Sequence, residues 1–349
     1  MRLFVQIPCF NEAATLPATL AAIPRHIPGI ASVEILVICD GSTDGTAAIA
    51  RAAGETRTVH LLVNKRNLGL AHTFRRGLDA SLALGADIIV NTDGDNQYHG
   101  GDIPRLIAPI LAGSHDVVIG DRQTAHSTEF SPLKKRLQRL GSATVRRFSG
   151  VDVPDAVSGF RAMSRSAALQ INILSSFSYT IEMLIQLGRK NIAVTSVPVR
   201  TNLQTRPSRL FRSIPQFIER SLTTLLRSYA MYQPLRSFLA IGSVFLIAGA
   251  VPLMRFFVYF LMGDGDGKVQ SVVLGGTLVV IGILTLLLGL IADLLGHNRQ
   301  LLELTLEKVR RLELAAGGTP AEPQIVPFSA SAAQSGVPET RQISLPASS

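Results

Sequence analysis

The chain has no tryptophan, only two cysteines among 349 residues, and few charged side chains, 17% in all. Soluble domains carry about a quarter, so the deficit counts against a wholly water-exposed protein. Cys9 and Cys39 are too few for the disulfide framework of a small secreted domain. Each ends an apolar run and reads as a packing residue in a reducing compartment. Acids are scarce as well, 25 against 34 Lys and Arg, which leaves a net charge of +9. Such a balance raises nucleic acid as a partner, but no nucleic-acid-binding motif is present. The basic residues concentrate in Lys134-Lys-Arg-Leu-Gln-Arg139 and beside long apolar runs. Anionic membrane lipids and a phosphorylated ligand account for that placement better, with no nucleic acid. There is no internal repeat. No charged-then-apolar leader is visible, because Met1-Arg-Leu-Phe-Val-Gln-Ile7 reads directly as a strand.

Apolar sequence is what the chain has in quantity, 47%. Two runs, about 238–262 and 269–292, each reach the roughly 20 residues that cross a bilayer as a helix. Arg255 interrupts the first, near its far end, where it can snorkel to the interface or make a contact within the membrane. Residues 235–296 are therefore expected to form a transmembrane hairpin. Seven arginines and one acid, Glu219, lie in the segment that runs from Arg200 through Arg236, and Arg299, Lys308, Arg310 and Arg311 follow the second run. The connecting loop, Gly263–Lys268, is short and slightly acidic. Positive flanks stay in the cytoplasm, so both ends of the hairpin and the large N-terminal region should face it. The expectation is a multi-pass protein of the inner (plasma) membrane. Residues 200–234 read as basic amphipathic helices along its surface. Residues 297–316 read as an amphipathic cytoplasmic helix with Glu307 and Arg311 at i,i+4 spacing. The Ala, Ser, Pro and Gly of 317–349 are expected to be disordered.

Residues 1–199 have the pattern of an α/β domain. Expected strands are Leu3–Ile7, Glu34–Cys39, Val59–Val63, Asp87–Asn91 and Asp116–Ile119. Helices are expected over Thr15–Ile23, Thr43–Ala53, Leu70–Leu84 and Asp102–Leu111. Further on come a basic amphipathic helix, Pro132–Phe148, the segment Val151–Arg161, and helices near Ser166–Leu174 and Tyr179–Lys190. Near-continuous Val/Ile runs joined by helices predict a mostly parallel, Rossmann-like sheet covered on both faces. Ligands of such sheets bind beyond the carboxyl ends of the strands. That rule selects the loops Pro8–Glu12, Asp40–Asp44, Asn64–Gly69 and Asp93–Gln97.

The last of these carries the strongest chemistry. In Asp87-Ile-Ile-Val-Asn-Thr-Asp93-Gly94-Asp95-Asn-Gln97, an apolar strand delivers two carboxylates on alternate residues, which can converge on one point. Two hard oxygen donors suit Mg²⁺ or Mn²⁺ carrying a diphosphate; a polar turn capping a buried strand is the plain alternative. Asp40-Gly-Ser-Thr-Asp-Gly45 offers Asp40 to a nucleobase N–H or a ribose hydroxyl, and Ser42 as a cap for a helix from Thr43. Asn11-Glu12 has the same two readings, ligand or turn. Asn67-Leu-Gly-Leu-Ala71, with Gly77 beyond, either places backbone N–H groups near a phosphate or is an ordinary loop.

In order along the chain, Ile7-Pro-Cys-Phe-Asn-Glu12, Cys39-Asp-Gly-Ser-Thr-Asp-Gly-Thr46, Asn67-Leu-Gly-Leu-Ala71, Asn91-Thr-Asp-Gly-Asp-Asn-Gln97, Val157-Ser-Gly-Phe-Arg161 and Ser196-Val-Pro-Val-Arg200…Arg206-Pro-Ser208 resemble the family 2 glycosyltransferases of GT-A fold. With the two-helix anchor, the chain looks like their polyprenyl-phosphate branch, similar to dolichyl-phosphate mannose synthase and bacterial undecaprenyl-phosphate sugar transferases. The resemblance covers about residues 1–300. It implies that Asp93 and Asp95 form the metal-binding pair, Asp95 the direct ligand, with Gln97 assisting. It implies too that Asp40 contacts the nucleoside while Pro8, Asn11 and Glu12 line the base and ribose pocket, joined by Asn67 and Asp93 in nucleotide binding. Many members have two acids before Gly-Ser; here Cys39 replaces the first. Processive polysaccharide synthases resemble this domain but carry a Gln-x-x-Arg-Trp motif and more spans, and this chain has no Trp. The remaining rivals are transfer to a lipid-linked or polymer sugar hydroxyl, and a non-catalytic nucleotide-sugar-binding scaffold.

The expected activity is inverting, metal-dependent transfer of one sugar from a UDP- or GDP-sugar to polyprenyl (undecaprenyl) phosphate, in cell-envelope glycan biosynthesis. Self-association is left open. A sugar hydroxyl acceptor needs a general base. A lipid monophosphate is already anionic near neutral pH and needs positioning by cations. Arg122, Arg139 and Ser142 are the candidates for that task, with Arg206 as outer support; contact with anionic lipid or a solvated helix face is the plain alternative for each. The catalytic set is completed by Asp95, Asp155 and Arg161. Asp155, six residues before Arg161, can orient an arginine or the sugar, act as a base, or form a local salt bridge. Glu182 is assigned to the sugar or acceptor side, or to an ion pair with Arg189 or Lys190.

Overall fold

The computed structural model describes residues 1–123, 143, 145–146, 149–173, 179–202, 234–263, 269–316 and 326–328. The first apolar run forms β1 (Arg2–Cys9), buried from Leu3 onward. It pairs in parallel with β2 (Ser32–Asp40) on one side and β4 (Ile88–Asn91) on the other, and β3 (Val59–Asn64) extends the parallel set beyond β2. Between the strands run α1 (Leu16–Ala22), α2 (Thr46–Ala53), α3 (Leu70–Ala83) and α4 (Ile103–Leu111). They cover both faces. Phe4, Leu36, Ile38 and Leu62 enter one core with Phe74 and Leu78 of α3; Leu3, Val5, Ile7, Ile35 and Val37 enter the other with Leu16, Leu20 and Leu106. Two apolar faces on every central strand are why the sequence shows continuous rather than alternating apolar runs.

The sheet is larger than the sequence pattern suggested. After β5 (Val117–Asp121) come two further strands, β6 (Arg161–Ser164) and β7 (Val194–Pro198), with helices α5 (Arg165–Gln170) and α6 (Tyr179–Arg189) between them. β6 is short and inserts antiparallel between β4 and β5, while β7 pairs in parallel with β5. Arg-Ala-Met-Ser carries no strand signature of its own; its neighbours on both sides supply the pairing. Within the tail expected to be disordered, β8 (Val326–Phe328) pairs antiparallel with β3, giving the eight-strand order β7-β5-β6-β4-β1-β2-β3-β8. β3 would otherwise present an open row of backbone donors and acceptors, which a short Val- and Phe-bearing segment can cap.

Two helices are long and apolar enough to cross a membrane: α7 (Pro234–Leu261) and α8 (Val269–Ala315). They meet along glycines seven residues apart, Gly242 and Gly249 on α7 against Gly275, Gly282 and Gly289 on α8. A Cβ at Gly249 would lie 2.8 Å from Gly275 O, and one at Gly289 2.5 Å from Phe238 Cβ. Small residues on a seam let the backbones approach, which is what drives association where lipid offers no hydrophobic gain. The second apolar run and the stretch expected as an amphipathic helix after it lie on one helix. α8 runs unbroken for 47 residues, about 70 Å at the helical rise. The Leu-, Glu- and Arg-rich stretch after Gly296 continues the helix because those residues favour it and a lone glycine costs only about 1 kcal/mol.

The C-terminal half of α8 lies on the α/β domain. Arg310 pairs with Asp79 of α3 at 3.0 Å and donates to Ile171 O at 3.1 Å, and Leu314 joins the α3-side core. The expected helix 132–148 falls outside the described residues except for 143, 145 and 146, as do residues 203–233 and the connecting loop 264–268.

Candidate active site

The acidic turn follows β4 and is fixed from several sides. Thr15 Oγ1 donates to Gly94 O at 2.8 Å, and Thr19 Oγ1 to the same oxygen at 3.3 Å. A Cβ at residue 94 would lie 2.8 Å from Cys9 Sγ, so only glycine lets the turn approach the end of β1. Asp95 Oδ1 accepts the Gln97 N–H at 3.1 Å, across Asn96 at φ +57°; Oδ2 takes no hydrogen bond among the described residues. The chain after β7 binds the turn's other side. Asn202 N–H donates to Gln97 O at 2.9 Å and its side chain to Asn96 O at 2.9 Å. Arg200 grips Asp102 through Nη2 at 2.6 Å and its backbone N–H at 2.7 Å. Burial favours the neutral acid at Asp102, but these bonds outweigh it and hold the carboxyl below its ordinary range.

The loops after β1 and β2 are stitched to each other. Asn11, in the left-handed region at φ +54°, donates its N–H to Ser42 Oγ at 3.0 Å and accepts the Thr43 N–H at 2.8 Å. Glu12 N–H donates to Thr46 Oγ1 at 2.9 Å and Ala13 N–H to Asp44 Oδ2 at 3.0 Å. Ser42 is therefore not a helix cap: α2 starts at Thr46, and the serine spans to β1 instead. Asp40 is buried, and its carboxylate accepts from Asn64 Nδ2 at 2.7 Å, Leu68 N–H at 2.9 Å and Gly69 N–H at 3.0 Å. It orders the loop that carries Asn67, whose Oδ1 also accepts the Gly69 N–H at 2.9 Å. Gly41 (φ +67°) permits this, since a Cβ there would meet the Asn67 nitrogen at 2.5 Å. Pro8 lies in register with Ile38 at the carboxyl end of β1.

A second loop, 155–161, closes the far side. Arg122, just beyond β5, holds Asp155 by Nε at 2.7 Å and Nη2 at 3.0 Å. Asp155 is 1% exposed and Arg122 15%. Burial opposes the Arg122 charge, yet Tyr98 and the Asp155 carboxylate outweigh it and raise the guanidinium above its ordinary value. Of the readings open for Asp155, a local pair with Arg161 does not form; the arginine it holds is Arg122. Arg161 is fully buried and donates to the carbonyls of Ser158 (2.8 Å), Ala156 (2.8 Å) and Thr180 (3.0 Å), so it braces the loop from behind.

Sequence reasoning missed the side chains that clamp this loop. Asn91 Nδ2 donates to Gly159 O at 2.8 Å and to Tyr179 Oη at 3.1 Å, while Gln6 Nε2 donates to Asn91 Oδ1 at 2.9 Å. Gly159 N–H donates to Tyr98 Oη at 2.9 Å. A Cβ at Gly159 would meet Asp93 Oδ2 at 3.1 Å and Tyr179 Oη at 3.2 Å, so loop, acid and tyrosine crowd one point. Burial first, then Asp93, push the Tyr179 hydroxyl up from its ordinary pKa. A polar Asn at the end of an apolar strand and a Tyr right after the acids were the available signals.

Cys9 and Cys39 are buried free thiols side by side on β1 and β2. Burial, then Glu12, raises Cys9 well above a thiol's usual value, which makes it an inert packing group. Glu182, expected at the sugar or acceptor side, is buried in the first turn of α6 with Arg299 of α8 at 3.9 Å. Arg139, Ser142 and Arg206 lie outside the described residues.

Two carboxylates on a tight turn suit a hard divalent cation. No group of three or more His, Cys, Asp or Glu side chains that could hold a metal occurs among the described residues. Asp95 Oδ2, which takes no hydrogen bond among the described residues, is a hard oxygen donor of the kind such a cation takes.

The description Glycosyl transferase family 2 matches residues 4–171. An undecaprenyl-phosphate mannosyltransferase of Micrococcus luteus is 28% identical over 57% of this chain and 83% of its own. A polyprenol monophosphomannose synthase of Mycolicibacterium smegmatis is 28% identical over 57% of this chain and 76% of its own. In fold, the chain is similar to glucosyl-3-phosphoglycerate synthase from Mycobacterium tuberculosis, solved with Mn²⁺, UDP and phosphoglyceric acid. The TM-score is 0.51 at 21% identity, covering 64% of this chain and 78% of that one.

Proposed function

The chain belongs to glycosyl transferase family 2, and on that premise we propose that it moves one sugar from a nucleotide diphosphate donor to polyprenyl phosphate at the cytoplasmic membrane face. The observation that carries the acceptor is α8, which runs without a break from an apolar span onto the α/β domain. That continuity keeps the crevice beside the bilayer, where a lipid phosphate resides. The names of the two relatives above favour the same acceptor.

The donor's base and ribose would sit among Pro8, Asn11, Glu12 and the Asn67 loop that Asp40 orders. Mg²⁺ or Mn²⁺, held by Asp93 and Asp95 with Gln97 beside them, would neutralise charge developing on the departing diphosphate. An acceptor phosphate oxygen attacks the anomeric carbon from the face opposite that diphosphate. The new C–O bond forms as the old one breaks, and configuration inverts. No proton has to be removed, because the phosphate monoester is already ionised near neutral pH. Asp155, with both oxygens engaged by Arg122, orients that arginine rather than serving as a base. Arg122 in turn offers a fixed fork to the acceptor phosphate, with Arg139, Ser142 and Arg206 the further candidates.

Purified protein in bilayer discs, given labelled UDP- and GDP-sugars with undecaprenyl phosphate, should place one label in the lipid extract. Excess chelator should stop this. Label that enters only water-soluble sugar, or transfer that survives chelation, would refute the acceptor or the metal assignment respectively.

A further inference from the structure

One turn of α6 touches both the acidic turn and the membrane helix. Its first residue, Tyr179, stacks on Phe74 at 4.2 Å and receives a bond from Asn91, and a Cβ at Gly159 would meet both its hydroxyl and the Asp93 carboxylate. Its next carbonyl, Thr180 O, takes the Arg161 guanidinium. One residue beyond Ile181, Glu182 faces Arg299 of α8. Arg299 also pairs with Glu303 at 3.0 Å, and Glu303 reaches Lys190, just past the end of α6, at 3.5 Å. Four charges of alternating sign therefore cross the α6–α8 interface, each at most about a fifth exposed.

An anchor needs only a covalent link to the bilayer. A mostly buried charge network adds little stability over apolar packing, but it specifies one register between two helices. We propose that the cytoplasmic half of α8 is a positioning element for the acidic turn: through Glu182 it sets the first turn of α6, whose Tyr179 backs Asp93. Arg299 and Glu182 are then positioning residues, and the way the domain is mounted on its membrane helix is felt at the donor site. This rests on the reading of Asp93 and Asp95 as the donor's metal-binding acids.

The test is a double-mutant cycle on the full chain in bilayer discs, with Arg299→Gln and Tyr179→Phe. Tyr179→Phe keeps the ring stack and removes only the hydroxyl. UDP binding in the presence of Mn²⁺ is measured by calorimetry, and hydrogen exchange is followed over 157–161 and 179–182. Each single variant should weaken UDP binding by roughly fivefold, the double no more than the weaker single, as coupled sites do. Exchange should rise in those two segments alone, and Arg299→Lys should restore both readouts. Multiplying losses, or unchanged binding in Arg299→Gln, would overturn the proposal. A wild-type chain that binds no UDP with Mn²⁺, while exchange at 179–182 still responds to Arg299→Gln, would instead refute the donor reading and leave the strut in place.

Discussion

The α/β domain and the helical hairpin solve the same problem, satisfying a buried backbone, with opposite means. In the domain, polar side chains such as Gln6, Asn91 and Asp40 are buried and tie segments that are distant in sequence, and buried Arg161 braces its own loop. In the hairpin each helix satisfies its own backbone, so contact is left to small residues, and Gly249 and Gly275 bring the two backbones together. The domain can therefore afford irregular loops, and that is where its chemistry lies. The hairpin cannot, and under the proposal above it serves to place that chemistry.

The sharpest way to separate the two regions is Asp95→Ala. It should cut transfer by about a thousandfold or more, a loss of about 4 kcal/mol in transition-state stabilisation. Membrane insertion, followed by carbonate extraction, should be unchanged. Gly249→Leu addresses the other side. Its side chain would enter the space of Gly275 O and Val279, loosening the helix pair by about 1–3 kcal/mol and lowering its thermal midpoint in detergent.

Glu34 tests the end of the sheet away from the acids. Burial would raise its pKa, but hydrogen bonds from His60, Arg2 and Ser32 outweigh that and lower it from 4.5 to about 2. A carboxyl lowered on folding stabilises the native state above its unfolded pKa. The contribution is present above about pH 4.5 and is lost as pH falls toward 2. Glu34→Gln should therefore cost on the order of 2–3 kcal/mol at pH 7 in denaturant unfolding, with the gap to wild type closing across that window. Arg122→Lys should cost about tenfold to thirtyfold on transfer: charge is kept, and the bidentate hold on Asp155 is lost. Its loss should appear in the apparent affinity for the lipid phosphate rather than for the donor nucleotide.

The parallel core and the acidic turn were legible in the chain because both follow from local pattern. Apolar runs of four to eight residues reported strands buried on both faces, and Asp93-Gly-Asp95 stood at the end of one. β6 was invisible, since Arg161–Ser164 gains its pairing only from β4 and β5. Asp155 and Arg161 look like partners at six residues' separation, yet the carboxylate turns to Arg122, 33 residues away in sequence. Ser42 looked like a cap because Asp-Gly-Ser before a helix is commonly one; it joins Asn11 instead.

What the sequence determined by itself is the list of parts: an α/β sheet with a carboxylate pair on one of its loops, two apolar runs long enough to span a bilayer, and arginines beside them. Periodicity and hydropathy are local properties, and they suffice for that. Which buried charge meets which was decided only in three dimensions. Asp40 holds the Asn67 loop, Arg161 braces its own loop, and Glu182 meets Arg299 from beyond the second apolar run. A buried charge takes whatever partner the packing of the core brings within reach, and that partner is set by topology rather than by distance along the chain.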